Sequence, residues 1–184
     1  NLRLAEGSVL EIPFADQTFD VIVSYQVIEH VPSPHKALEE MARVCRGAGV
    51  TCVVGPNLLS PLLPIRYLLS PSSWRQMAYR RKPGMPWHPY GNTLWEILAL
   101  TTVRAAQLFG KLLSRRPRFT MRTTDTVPPF HADNDACYLC NPTDLIAWFK
   151  SAGWRVLRGG RHGRPPFSYL VAGGTWVAAR KPDN

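Results

Sequence analysis

Phe19-Asp20-Val21-Ile22-Val23-Ser24 is a short apolar run rich in β-branched residues, and Val50-Thr51-Cys52-Val53-Val54 is a second one. Between them lies Ser33-Pro34, the start of a periodic segment. Such runs predict strands buried on both faces of a parallel sheet. Ser33 is placed to cap a helix, with Pro34 at its first position, where the missing N–H costs nothing. Leu38, Met41, Ala42 and Cys45 follow at i, i+3, i+4 and i+7, one helical face, which Gly47 and Gly49 are expected to end. Strand, helix, strand with short links is a βαβ unit, so the two strands should run parallel with a right-handed crossover.

The same order returns near the other end. Asn141-Pro142-Thr143-Asp144 reads as a cap, a first-turn proline and a first-turn acid. Leu145, Trp148, Phe149 and Ala152 form the expected buried face, and Gly153 is the expected stop. Trp154 to Leu157 and Thr175 to Ala179 read as the last two strands, with the basic turn region Gly159 to Pro166 between them. The fold class is therefore α/β, a partial doubly wound sheet with helices on both faces and a helical insertion. The expected divisions are 1–57, 58–137 and 138–184.

The insertion breaks the rhythm. It is rich in Pro, Arg and Leu, and its clearest element runs from Thr93 to about Leu113. Thr93-Leu94-Trp95-Glu96 matches a capping box. Arg104, Lys111 and Arg115 are expected to share a polar side, with Leu, Ile, Val and Phe over the rest. Glu96, Arg104 and Lys111 argue against a transmembrane span. A helix with a wide apolar face and basic flanks can instead lie on a membrane.

The chain has 184 residues, 45% hydrophobic and 19% charged, which fits a folded domain rather than a disordered one. Its formal charge of +9 is concentrated. Residues 57–130 hold eleven basic residues against Glu96 and Asp125, and the remainder is balanced. A localised basic segment points to an anionic partner: a phosphorylated substrate, an acidic membrane surface or nucleic acid. Cys45 and Cys52 read as small core residues. Cys137-Tyr138-Leu139-Cys140 has C-x-x-C spacing, but only scattered histidines could complete a metal site, so plain thiols and no metal are expected. Reduced thiols suit a cytoplasmic setting, with peripheral membrane contact through 58–122 as a further expectation. The chain starts at Asn1 without a basic–apolar leader, which suggests a piece cut from something longer.

In an open α/β sheet, ligands bind beyond the carboxyl ends of the parallel strands. Those ends fall at Ser24-Tyr25-Gln26 and Gly55-Pro56-Asn57.

Residues 7–22, Gly-Ser-Val-Leu-Glu-Ile-Pro-Phe-Ala-Asp-Gln-Thr-Phe-Asp-Val-Ile, resemble the G-D-A-x-x-L-P-F-x-D-x-x-F-D-x-V segment of class I S-adenosylmethionine (SAM)-dependent methyltransferases of the type 11-like group. Glu29-His30-Val31-Pro32-Ser33-Pro34 resembles that family's E-H-hydrophobic-P-x-P. Met41 to Gly49 resembles E-x-x-R-V-L-(R/K)-P-G-G. Cys52 to Asn57 is similar to a strand ending in P-N, and Leu145 to Trp154 to a helix leaving through A-G-F. The matches keep their order over 7–57 and return at 140–180.

The resemblance implies SAM as cofactor. Ser8 stands where the family has an Asp that receives the adenine amino group, and Val9 where a backbone N–H meets the ring; Ser for Asp weakens that contact. Ser24, Tyr25 and Gln26 would lie along the methionine part, mostly through backbone. The family's E/D-x-G-x-G-x-G loop is expected before Leu2, so the isolated chain is expected to bind SAM weakly or not at all. His30 is the candidate general base. It could equally cap the helix or shape the loop, and its recurrence among family members with varied chemistry favours structure; Glu29 shares this ambiguity. Trp87 to Asn92 reads as a lid or pocket loop, placing His88 and Tyr90 near substrate, with His131, Asp133 and Asp135 as further candidates. The implied activity is methyl transfer to a small acceptor, anionic or lipid-linked. The alternatives are a non-catalytic methyltransferase-like binding or partner subunit, a nucleic-acid methyltransferase, and a nicotinamide dehydrogenase. The last would need G-x-G-x-x-G after its first strand. The basic residues are not interleaved with aromatics in a known RNA module, which disfavours nucleic acid.

Overall fold

The computed structural model describes residues 2, 4–62, 89–114, 116–122, 135–159 and 174–183, with side-chain surroundings between 89 and 100 only at Leu98. Along the chain come β1 (Phe19–Tyr25), a 3-10 turn (Ile28–His30), α1 (Pro34–Val44) and β2 (Cys45–Pro56). Then follow α2 (Pro89–Leu113), α3 (Pro142–Ser151), β3 (Arg155–Gly159) and β4 (Gly174–Arg180). The sheet order is β1-β2-β4-β3. β1 and β2 are parallel, while β4 is antiparallel to β2 and β3.

Local chemistry sets the helix ends. The Ser33 hydroxyl accepts the Lys36 N–H at 3.3 Å, and the Asn141 side-chain oxygen accepts the Asp144 N–H at 3.0 Å. Each satisfies a donor that the first helical turn leaves unpaired. Gly153 follows α3 with φ +78°, a left-handed stop that glycine adopts without strain. Leu38 and Met41 from α1, Leu145, Trp148 and Phe149 from α3, and Val53, Val177 and Ala179 from the sheet join in one core. α1 and α3 therefore cover the same sheet face.

That arrangement corrects several expectations. β1 is not buried on both faces. Its Ile22 and Ser24 turn toward the helices, but Val21, Val23 and Tyr25 are exposed, at 62%, 65% and 68%. A single strand cannot reveal from its own residues whether a second layer lies over it. Cys45, Gly47 and Gly49 belong to β2, not to the helix or its end. Helix α1 stops at Val44 because Cys45 is already extended (φ −78°, ψ 132°) and paired with Phe19. The register then jumps from Phe19↔Cys45 to Val21↔Val50, and the excess residues turn through Ala48 at φ +58°. This bulge lets the strand begin at once after the helix. Ala152 is exposed, lying just beyond the last turn of α3.

The insertion helix is also different. It begins at Pro89, so Pro89 to Asn92, including Tyr90, are helical rather than a loop. Trp87 and His88 lie outside the described residues. Lys111 does not sit on an outward polar side; it is buried, and its ammonium donates to Asp144 at 2.7 and 2.9 Å and to the Arg118 carbonyl. Asp144 also accepts from the Tyr138 hydroxyl at 3.1 Å, the Asn141 amide at 2.8 Å and the Arg118 N–H at 3.2 Å. This buried network joins α2 to α3. Burial pushes the Tyr138 hydroxyl well above its ordinary pKa, with Cys140 and Asp144 adding to the shift.

Candidate functional site

The carboxyl ends of β1 and β2 form the edge where a ligand would be expected. β1 ends at Tyr25, whose side chain lies on the uncovered face. Gln26 follows with φ +54°, a left-handed conformation that costs a non-glycine residue energy. Its N–H is donated to the Val54 carbonyl at 2.8 Å, which holds the strained residue against the end of β2. Ser24 behaves differently. Its side chain is buried on the helix-covered face, so only its backbone can serve a ligand at this edge.

Behind the strand ends lies the 3-10 turn. Glu29 is fully buried. Its carbonyl accepts the N–H groups of Cys137 at 2.8 Å and Tyr138 at 3.0 Å, docking the segment before α3 onto this turn. His30 stands between two carboxylates. Its Nε2 lies 3.7 Å from Glu29, and its Nδ1 lies 3.1 Å from the exposed Asp135, within ion-pairing range but without hydrogen-bond alignment. Gly55 completes the packing: a Cβ there would lie 3.2 Å from both Glu29 Oε2 and Cys140 Sγ. Burial, with Glu29 and Asp144 nearby, raises the Cys140 thiol well above its usual pKa. All four cysteines are free, so the C-x-x-C pair is not bridged.

The second cluster is the turn at Ser8–Leu10. The Ser8 hydroxyl accepts the Leu10 N–H at 3.1 Å, and the Ser8 carbonyl accepts the Glu11 N–H at 3.1 Å. Ser8 thus shapes its own turn, while its hydroxyl proton remains available to donate. Val9 is partly buried against the core. Two residues that sequence reasoning passed over anchor this turn to α1. Glu40 accepts the Ile12 N–H at 3.0 Å. Arg43 donates to the carbonyls of Phe14 and Ile12 at 2.8 and 2.9 Å, to Asp16 at 2.8 Å, and to Glu40. The available signal was their i, i+3 spacing on the helix.

The Arg43 guanidinium above all, helped by the Ile12 N–H and the Lys36 ammonium, holds the Glu40 carboxyl down at about 2 against the opposing effect of burial. A carboxyl depressed on folding stabilises the protein above its unfolded pKa, near 4.5, and loses that contribution as pH falls toward about 2. Glu40→Gln is therefore expected to shrink the stability difference between pH 6 and pH 3 by about 1–2 kcal/mol after screening. Urea unfolding of both proteins at the two pH values measures this, and equal acid sensitivity would count against it.

Among the described residues, no hydrogen bond or ring contact joins the Ser8–Leu10 turn to Tyr25 or Gln26. Ser24 to Gln26 are contiguous, and His30 is joined to Glu29 and Asp135. His131 and Asp133 lie outside the described residues, and the side chain of Tyr90 is not described.

A family model described as a methyltransferase domain matches residues 1–53, which build the Ser8 turn, β1, α1 and most of β2. An uncharacterized methyltransferase of Mycolicibacterium vanbaalenii is 34% identical over 122 residues, covering 64% of this chain and 47% of that protein. An uncharacterized methyltransferase of Schizosaccharomyces pombe is 41% identical over 60 residues, covering 33% of this chain and 22% of that protein. Among solved structures, a proposed S-adenosylmethionine-dependent methyltransferase of Listeria monocytogenes superposes with a TM-score of 0.52 at 12% identity. The match covers 96% of this chain and 68% of that one. Residues 1–53 are thus similar to the methyltransferase domain family, and the chain shares its α/β fold with the Listeria monocytogenes protein. The chain spans about half the length of the first curated relatives it matches.

Proposed function

We propose that these residues form one wall of a SAM-dependent methyltransferase site and that the acceptor is a small molecule, anionic or lipid-linked. The observation that carries the reading is the family match over residues 1–53, which ends on the parallel strand pair whose exit holds Gln26 in a left-handed turn. Ligand edges are where such strain is retained.

The residues present fit the cofactor in part. Backbone groups at Ser24 to Gln26 stand at the open strand end, and the Ser8–Leu10 turn can offer the Ser8 hydroxyl to an adenine edge. No E/D-x-G-x-G-x-G turn occurs within residues 1–184, so the chain offers little to hold the ribose. When bound, SAM supplies an activated methyl on sulfonium sulfur, with a neutral thioether as leaving group. The protein's share is alignment of the acceptor and, for a hydroxyl or acidic carbon, removal of its proton. His30 faces a carboxylate from each ring nitrogen, which favours a positioning role that pins Asp135 to the turn after β1. The concentrated basic segment supports an anionic acceptor.

Direct photocrosslinking with methyl-tritiated SAM at millimolar concentration tests the placement. Label is expected on peptides containing Tyr25–Gln26 and Ser8–Leu10, competed by S-adenosylhomocysteine. Binding by residues 1–184 alone is expected to be weak in calorimetry. Label confined to other peptides, or a micromolar Kd for this chain alone, would sink the one-wall reading.

A further inference from the structure

The amphipathic order of α2 is inverted. Its buried side carries Leu108 and Lys111, the latter consumed by Asp144. Its outward side carries Leu98, Thr102, Ala105, Phe109 and Leu112, at i, i+4, i+7, i+11 and i+14, with Leu113 beside them. These residues occupy an arc of about 100° at helical spacing, a full apolar stripe. The large ones are open to solvent: Leu98 at 52%, Phe109 at 64%, Leu112 at 46% and Leu113 at 70%. Scattered exposed apolar residues are ordinary, but an aligned stripe of this kind marks a contact surface.

The charge around the stripe selects its occupant. From residue 97 to residue 124 there is no Asp or Glu. Arg116 and Arg118, both exposed, lie within five residues of Leu113 in sequence, the Arg118 backbone being held by Lys111 and Asp144. A second copy of the chain would bring arginines toward arginines with no acid in this segment to pair them. An anionic surface meets the same residues with opposite charge. No described helix is long and apolar enough to cross a membrane, so α2 would lie along the surface rather than through it.

We propose that α2 seats the protein on anionic lipid, with Leu98, Phe109, Leu112 and Leu113 entering the headgroup–acyl boundary and Arg116 and Arg118 meeting lipid phosphates. The proposal is independent of methyl transfer. Co-sedimentation of the chain with vesicles tests it, using phosphatidylcholine alone against an equimolar mixture with phosphatidylglycerol. Binding is expected to be about tenfold stronger on the mixture at low salt and to weaken as salt rises. The pair Phe109→Ser and Leu113→Ser is expected to lose about tenfold in affinity from lost apolar insertion. The pair Arg116→Gln and Arg118→Gln is expected to lose binding only on the anionic vesicles, and circular dichroism melts would show whether each variant is folded. The arginine pair lies outside the core, so it decides the matter even if the serine pair unfolds. Equal binding to both vesicle types, or unchanged binding by the arginine pair, overturns the proposal. So does a lipid-free dimer in sedimentation equilibrium that Phe109→Ser dissolves, since the stripe would then belong to a second copy.

Discussion

Asp144→Ala is expected to lower folding stability by about 3–5 kcal/mol, read as a lower urea midpoint at unchanged slope. The carboxylate is 1% exposed and is the common acceptor for Lys111, Tyr138, Asn141 and the Arg118 N–H. Removing it leaves a buried ammonium without its counter-charge, and that desolvated cation is the main cost. The polar donors around it lose an acceptor as well. Combining Lys111→Met with Asp144→Leu removes both charges and should recover a large part of the loss. Recovery will stay incomplete, because Tyr138 and Asn141 still lack their acceptor. A loss below about 1 kcal/mol for Asp144→Ala would mean that water reaches Lys111 and that α2 is not firmly tied to α3.

Gly49→Ala is expected to cost about 2–4 kcal/mol, measured in the same way. A Cβ at this position would lie 2.8 Å from Cys45 Sγ and 2.9 Å from the carbonyl oxygens of Arg46 and Asp20. Two of the three obstacles are backbone atoms of a paired bulge, so they cannot rotate away. Relief would require shifting the register that joins Phe19 to Cys45 and Val21 to Val50. Gly110→Ala is the contrast. Nothing lies within 4 Å of the added methyl in the last turn of α2, so stability should rise by about 0.5 kcal/mol. A similar response at both glycines would refute the steric account of Gly49.

The parts of the fold legible in the sequence were those decided locally. Ser33-Pro34 and Asn141-Pro142 start their helices because cap, ring and first turn lie within four residues of each other. Gly153 stops a helix through its own backbone. The parallel pairing of β1 with β2 followed from two apolar runs and one short crossover. What escaped depends on residues far apart in sequence. Lys111 reads as a solvated charge until Asp144, 33 positions away, is brought against it. Helical periodicity places Cys45 with α1, yet pairing with Phe19 wins and makes it the first residue of β2. Of the candidate site, the strand exit at Tyr25–Gln26 was legible from topology. The left-handed turn at Gln26 and the acids flanking His30 were not, because nothing in their residue types requires them.

The reversed direction of β4 has a consequence for how such a site can diversify. Antiparallel pairing sets Thr175 opposite Gly55 and Gly174 opposite Pro56. The chain therefore enters its last strand at the rim where β1 and β2 leave theirs; a parallel final strand would have entered at the opposite rim. Length changes and substitutions introduced just ahead of Gly174 thus fall at the rim of the candidate site and leave the strand ladder its register. The rim can therefore vary in sequence without disturbing the pairing that holds the sheet together.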